Sequence, residues 1–583
     1  MSMKSLVKKT FLIGMSMMTL APQFATAALE SQINYYLNRE DTKDIPFMFV
    51  RGSNFYLHKN TLSALYEKRG FSAIWVDAKG RPNAMAAAVK DALKQGAILN
   101  GLNPDDYWDK MIESIYVSNT DGKFGPTFEL AVSEAVIRYV THLSTGRFDP
   151  MEIDTDIKLP KKKFTEYAEL SQVISSVEGR PDVKALVAGL DKFAPVHTRY
   201  VDLKNLLAYF RDIQGKNGWS QISLSKKSLR LGDDDPAVPA IRIRLQSLGY
   251  SVPAATADSQ RKYDSGLESL IRQVQGLNGL DADGIIGEQV LSFLNVTAAD
   301  RAFQIEVNME KLRWLPKNME PRHVFVNLST TEFQLFDGGR EVMSFRTING
   351  EGYRRTPVLR NMLSFVELNP TWTAPDSIVF KDKLHILRQG EAGVKYLEDQ
   401  HMKLVKKSNG EVVDATASLL KGLSRSNFPY LLRQDPWRKN ALGSIKFPLP
   451  NEWSIYLHHT SDPDLFKKDA RHLSSGCVRL EDPFKFAEYI LRDNVALKSN
   501  QQQLHWSADD LESLVPPRGS NDEVPKELWE KRIHLKTPVP VYLIYLTVAR
   551  SQDGAVRFVN DIYGQDLRVA KTMKSVRHGN ELF

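Results

Sequence analysis

The chain has 583 residues, 42% hydrophobic and 25% charged, which excludes a disordered chain, a collagen-like repeat and a multi-span membrane protein. Its net charge of +7 is the small difference between 77 basic and 70 acidic residues. The basic residues fall in short runs such as Lys161-Lys162-Lys163, not in the concentrated stripe of a nucleic-acid binder. At roughly 150 residues per domain, the length allows about three or four domains.

The first 27 residues read as an export signal. Lys4, Lys8 and Lys9 precede an apolar run from Thr10 to Ala21, and Ala25-Thr26-Ala27 gives a small-x-small cleavage pattern. That run is short for a membrane span, which needs about 20 residues. Cleavage would remove three lysines and no acids, lowering the +7 to +4. The expectation is a soluble, exported protein, without a stable membrane span after cleavage.

Residues 28 to about 225 are mostly helical by pattern, with apolar residues at helical spacing in Ala64–Arg69, Ala84–Lys94 and Ala131–Leu143. No catalytic constellation occurs there. Residues 231–297 predict a helix from Val238 ended by Gly249, a second helix from Leu270, a Gly/Asp turn and a third helix. Asp281-Ala-Asp283-Gly284 superficially suggests a calcium loop. It lacks the spacing to a terminal Glu, and Ile285 stands where an oxygen ligand would help, so a tight turn is the better reading.

From about residue 303 to 570 the pattern changes to strands. Val324–Leu328 and Glu332–Phe336 alternate, and Asp337-Gly338-Gly339 reads as the turn after them. Residues 376 to about 446 are polar, with a weak helix near Ile378–Arg388, and read as an insertion that caps a site as a lid. Lys536–Thr547 predicts an apolar strand, with Val556–Asp561 as its partner.

The single cysteine, Cys477, carries the chemical argument. A lone thiol in an exported protein cannot form an internal bridge and is an oxidation risk. An isolated cysteine is more often buried and inert, so its neighbourhood has to decide. Trp453–Leu457 reads as a short strand delivering His458, and Ser474-Ser475-Gly476 as a bend exposing Cys477. Glu481-Asp482-Pro483 then opens a helix, which would set Cys477 just ahead of a helix N-terminus that favours a thiolate. A thiol, an imidazole nineteen residues upstream and Arg479 two residues downstream form a constellation for nucleophilic catalysis. His459 would face the other side of the strand, and His472 lies in the stretch before the bend. A metal site built from Cys477 and these three histidines is the poorer reading, because adjacent histidines are not a standard zinc pattern.

A histidine at a strand end followed by Ser474-Ser475-Gly476-Cys477-Val478-Arg479 resembles the L,D-transpeptidases of bacterial cell walls, which have the YkuD-type catalytic fold. Ser475 stands where many members have a second His, a form similar to a large multidomain Gram-negative subgroup. Thr347–Gly350, Arg355-Thr356-Pro357 and Leu368–Pro375 resemble family landmarks of the donor-peptide groove. Residues 231–297 resemble a peptidoglycan-binding module, and Phe71–Trp75 and Gly101–Tyr107 resemble the subgroup's scaffold region.

The resemblance implies a multidomain α+β protein: a helical scaffold over 28–225, the binding module over 231–297, and a mostly β catalytic domain over 303–570 with a capping insertion at 376–446. It implies Cys477 as nucleophile and His458 as base, with the Gly476 and Cys477 N–H groups as candidate oxyanion donors and Ser475 in the same catalytic box. Arg479, Tyr456, Trp372 and Ser474 are the candidate substrate-binding residues, though Trp372 reads equally as a core or hinge tryptophan. Peptidoglycan stem peptides and glycan are the implied partners, possible contacts with other cell-wall enzymes are left open, and no metal or organic cofactor is needed. The implied reaction is 3→3 cross-linking. Attachment of a lipoprotein lysine, L,D-carboxypeptidase action and an inert wall-binding scaffold are the alternatives.

Overall fold

The computed structural model describes residues 29–38, 59–255, 259–493, 496–497, 503–504, 506–516, 524–550 and 554–577. The export-signal segment lies outside them. Among the described residues, no helix is long and apolar enough to cross a membrane. The chain divides into two compact units. The first contains residues 1–144 and 164–194, and the second contains 145–163 and 195–583.

The first unit is helical. Its main helices are Lys59–Glu67, Ala84–Leu99, Lys110–Ser118, Gly125–Thr145, Tyr167–Ser175 and Val183–Asp191. Asn83, Asp109 and Asp182 accept N–H groups of the first turns of three of them, satisfying donors that have no partner within the helix. Glu129 is fully buried and organises the core. It accepts the Tyr66 hydroxyl at 2.6 Å and the backbone N–H groups of Ile74, Trp75 and Val76 at 2.6, 2.7 and 3.1 Å. Burial still pushes its carboxyl up to about 7.

The second unit contains the strands. In chain order they are β1 (Ile157–Lys158), β2 (His323–Asn327), β3 (Glu332–Asp337), β4 (Arg340–Gly350), β5 (Val358–Leu368), β6 (Trp372–Ala374), β7 (Met402–Lys406), β8 (Val412–Val413), β9 (Tyr430–Gln434) and β10 (Ile445–Pro448). They continue as β11 (Tyr456–His458), β12 (His472–Ser474), β13 (Val478–Leu480), β14 (Ala496–Leu497), β15 (Gln503–Leu504), β16 (Lys531–Ile544), β17 (Val548–Arg550) and β18 (Val556–Phe558). The order β5-β10-β11-β13-β4-β3-β2-β16 returns to β5, because β16 also pairs with β5. The strand path therefore closes, which removes exposed edges. β11 and β13 are short and central, and their pairing is parallel, with Leu457 opposite Val478 and His458 opposite Arg479.

Three helices, Val238–Ser247, Ser265–Leu277 and Glu288–Leu294, form the module before the sheet. Gly284, at φ +71°, turns the chain between the last two. Gln275 holds that turn by donating to Asp283 at 2.7 Å and accepting the Gly284 N–H at 2.8 Å.

Four expectations need correction. Trp453–Leu457 is not a continuous strand. Asn451 Oδ1 accepts the N–H groups of Trp453 and Ile455, Ser454 takes φ +55°, and pairing starts only at Tyr456. Cys477 does not stand at a helix N-terminus, because Val478–Leu480 is consumed as a sheet strand and the helix begins at Pro483. The polar stretch after Asp376 is more than a weak helix. Its Tyr430–Gln434 segment pairs with Trp372–Ala374 on one side and Met402–Lys406 on the other in a separate four-stranded sheet, over a core including Leu387, Leu404, Leu420 and Leu432. Val556–Phe558 pairs with Val548–Arg550, while the long Lys531–Ile544 strand is taken up by β2 and β5.

Candidate active site

The strand register gathers the sequence candidates. In paired strands, directly opposed side chains share a face, and so do residues two apart along one strand. Tyr456 and His458 therefore face the same way, with ring centroids 5.7 Å apart. Cys477 lies one residue before β13, and its sulfur is reached by both the backbone N–H and the hydroxyl of Tyr456. The thiol also donates to the Ser454 carbonyl at 3.5 Å. Ser454 is a non-glycine residue in the left-handed region, a conformation that costs about 1 kcal/mol or more and is often kept where a group must be aimed.

Burial governs both candidate reacting groups. It pushes the Cys477 thiol up, against the N–H and hydroxyl of Tyr456 and the charges of Lys446 and Arg479. It pushes the His458 imidazole down to about 3, helped by the Arg479 charge, while the backbone of Leu442 and of His459 pulls it partly back. Each charged form is penalised, so the resting pair is a neutral thiol and a neutral imidazole. His458 Nδ1 is buried without a hydrogen-bond partner. A nitrogen in that state can take a proton from a neighbouring thiol during attack.

The other histidines are engaged elsewhere. His459 Nδ1 accepts the Ser444 N–H at 3.3 Å, and its ring meets Phe484 edge-on at 5.7 Å. Gly443, at φ +63°, permits that packing, since a Cβ there would stand 2.7 Å from the His459 ring. His472 Nε2 bonds the Leu328 carbonyl at 2.9 Å and packs on Tyr563. Neither converges with Cys477 on a metal-ligand set, and no such group of three or more His, Cys, Asp or Glu occurs among the described residues.

The bend that carries Cys477 is internally tied. Ser474 Oγ donates to the Cys477 carbonyl at 2.6 Å and accepts the Gly476 N–H at 3.1 Å. Gly476 takes φ +123°, where a side chain would be strained. Because Ser474 occupies the Gly476 N–H, that donor must be released before it can serve an oxyanion. The Ser474 carbonyl accepts the Glu351 N–H at 2.9 Å, fixing the bend to the end of β4. Ser474→Ala leaves both the Cys477 carbonyl and the Gly476 N–H without this partner. An expected loss of about 1–3 kcal/mol would be read from the denaturant midpoint of wild type and variant.

Trp372 and Tyr456 form a relay to the sulfur. The Trp372 side chain hydrogen-bonds Tyr456, whose hydroxyl in turn reaches Cys477. Trp372 also belongs to the insertion's apolar core, against which Tyr456 packs. Arg479 pairs with His458 on one side and with Ile348 of β4 on the other. Its charge acts on both Cys477 and His458, and burial lowers its own affinity for a proton.

Sequence reasoning did not single out two neighbours, Arg354 and Lys446. Arg354 donates to Ser475 Oγ at 2.8 Å and to Asp382 at 2.6 Å, linking the exposed side of the bend to the insertion. Arg354 stands in the conspicuous pair Arg354-Arg355, but nothing in that pair names its partners. Lys446 of β10 lies 4.9 Å from the Tyr456 ring centroid. Only the ladder, which sets Lys446 opposite His458, could have found it.

The His458 shift has a stability consequence. Its folded value near 3 lies below the ordinary 6.5, so the unfolded chain binds the extra proton between these two values. Stability from this group is complete above about pH 6.5 and is lost as pH falls toward 3, at about 1.4 kcal/mol per unit. Denaturant midpoints between pH 7 and 4 should fall more steeply in the wild type than in His458→Gln.

Comparison with known proteins assigns domains to the chain. Residues 321–541 match an L,D-transpeptidase catalytic domain, residues 60–207 a scaffold domain, and residues 234–294 a "Putative peptidoglycan binding domain". A curated relative from Haemophilus influenzae, "Putative L,D-transpeptidase", is 29% identical over 266 residues, 46% of this chain and 48% of its own. The chain thus spans about half the length of that relative. A solved L,D-transpeptidase structure from Xylanimonas cellulosilytica covers 44% of this chain and 89% of its own at 14% identity, with a TM-score of 0.14, too low to carry any argument. The match that contains β2 to β13 and the Cys477 bend gives the chain an L,D-transpeptidase catalytic domain, preceded by a scaffold domain and a peptidoglycan-binding domain.

Proposed function

We propose that the protein is an exported, periplasmic L,D-transpeptidase that makes 3→3 cross-links through a thioester on Cys477. The observation that carries this reading is the buried, unpartnered His458 Nδ1 on the sheet face that Tyr456 shares, with Tyr456 hydrogen-bonded to the lone thiol. As His458 takes the thiol proton, sulfur attacks the carbonyl of the third residue of a donor tetrapeptide, which the family resemblance gives as meso-diaminopimelate. The carbon–nitrogen bond to the terminal D-alanine breaks, and His458 returns the proton to the leaving amine. The side-chain amine of a second stem then attacks the thioester and releases the thiol. Water in place of that amine gives L,D-carboxypeptidase action, and a lipoprotein lysine gives protein attachment.

In this reading Cys477 N–H is an oxyanion donor, and Gly476 N–H joins it once freed from Ser474. Ser475 acts with Arg354 in holding the bend, and Arg479 binds a peptide carboxylate. Tyr456 and Trp372 wall the donor groove on the insertion side. The division into scaffold 28–225, wall-binding module 231–297 and catalytic domain 303–570, with 376–446 as its cap, belongs to the same proposal. So does docking of the module on glycan or stem peptide.

The test is a muropeptide digest. Purified protein is incubated with disaccharide-tetrapeptides, and free D-alanine and dimers are measured by mass spectrometry. Free D-alanine with 3→3 dimers supports the proposal, tripeptide without dimers assigns the carboxypeptidase, and no turnover supports the inert scaffold. Chelator is expected to leave turnover unchanged.

A further inference from the structure

The ladder sets a row of charged side chains across the sheet beside the thiol. Arg479 is opposite His458, His458 opposite Lys446, Lys446 opposite Glu367, and Glu367 opposite Arg532. Directly opposed residues share a face, so this row lies on the face of Tyr456 and His458. Glu367 is buried and fixes its neighbours. Lys446 Nζ lies 3.3 Å from Glu367 Oε1, and Arg532 Nε lies 3.0 Å from Oε2. The same Nζ lies 4.9 Å from the centroid of the Tyr456 ring, whose hydroxyl reaches the sulfur. The reaction described above gives Lys446 no part.

We propose that Lys446 is a positioning residue: Glu367 and the Tyr456 ring fix its ammonium on the thiol side of the sheet, where its charge offsets the cost of forming the Cys477 thiolate. This rests on Cys477 being the nucleophile. Two anchors hold the lysine, so its charge does not swing into solvent, where screening would remove most of its effect. The other groups acting on the thiol are Tyr456 from β11 and Arg479 from β13, itself acted on by Asp462; His458 shares their face by register, and Arg354 with its partner Asp382 holds Ser475 of the bend. Glu367 has two opposed effects: it anchors the ammonium, and it cancels part of its charge. Glu367→Gln keeps a side-chain carbonyl oxygen that can accept from Nζ and removes only the cancelling charge, so opposite signs are expected for the two substitutions.

With one cysteine in the chain, alkylation by iodoacetamide reads Cys477 alone. The thiolate forms a carbon–sulfur bond and iodide leaves, so the rate follows the thiolate fraction and its pH midpoint reports the thiol. Lys446→Met is expected to raise the midpoint by about 0.5–1 unit, a threefold to tenfold slower reaction at a fixed pH below it. Lys446→Arg should stay near wild type, and Glu367→Gln should lower the midpoint. A Lys446→Met curve superimposed on wild type, equal shifts for Met and Arg, or an upward shift for Glu367→Gln would each overturn the proposal. If Lys446→Met does not fold, the Arg and Glu367→Gln curves still decide. No stem peptide is present in this titration. The predicted shifts in a protein that makes no cross-links would sink the transpeptidase reading and leave this one standing.

Discussion

Replacing Cys477 with alanine is expected to abolish both D-alanine release and 3→3 dimer formation, a loss of about 10⁴-fold or more. No second thiol exists to take over, since Cys477 is the only cysteine in the chain. The neighbouring hydroxyls are already committed: Ser474 Oγ bridges Gly476 and the Cys477 carbonyl, and Ser475 Oγ accepts Arg354. Removing the sulfur also removes the thiol that meets the Ser454 carbonyl and the Tyr456 hydroxyl, but these are side contacts of a folded bend, so the fold should persist. Quantifying D-alanine and dimers from purified wild type and variant at matched concentration checks this. Residual turnover near the wild-type rate would remove the thioester from the mechanism.

His458→Ala is expected to cost about 10²–10⁴-fold in turnover, the range for loss of a general base. His459→Ala should cost only a few-fold, with its effect falling on stability. The difference follows from which way each ring points. His458 keeps a buried nitrogen unpartnered on the Tyr456 side, whereas His459 spends Nδ1 on the Ser444 N–H and packs on Phe484. Single-turnover rates for the two variants, with His472→Ala as a third, decide the matter. If His459→Ala is the inactive one, the strand register read here is off by one.

The candidate site was legible where chemistry is written in consecutive residues. The Ser474–Arg479 box and the spacing to His458 need no tertiary information, and the alternation of Tyr456 and His458 needs only the period of a strand. The supposed helix N-terminus behind Cys477 failed because Val478–Leu480 is too short to announce a strand, yet it is pinned between β11 and β4. The side chains that act on the thiol consequently arrive through register. Lys446 lies 31 residues before the cysteine and Arg354 another 92 before that, so no local pattern could pair them with it. The insertion was misread for a related reason. Its strands run for only two to five residues between charged stretches, and a core such as Leu387–Leu404–Leu432 is visible only once they pair.

The resting state described here differs from that of a thiol activated as a preformed ion pair. Burial holds the Cys477 thiol up and the His458 imidazole down, so the proposed mechanism requires the proton to move during attack. That places weight on the Trp372–Tyr456–Cys477 relay, which ties the proposed nucleophile to the core that contains Trp372.

The most direct test of the central claim is the intact mass of the protein after exposure to a carbapenem, the β-lactam class that the family resemblance implies as an acylating agent. The strained carbonyl accepts the sulfur, the lactam carbon–nitrogen bond opens, and the whole drug remains attached as a thioester. The account predicts a gain of one drug mass on the wild type and none on Cys477→Ala. An adduct of equal size on Cys477→Ala would place the acylation on a serine or lysine and contradict it.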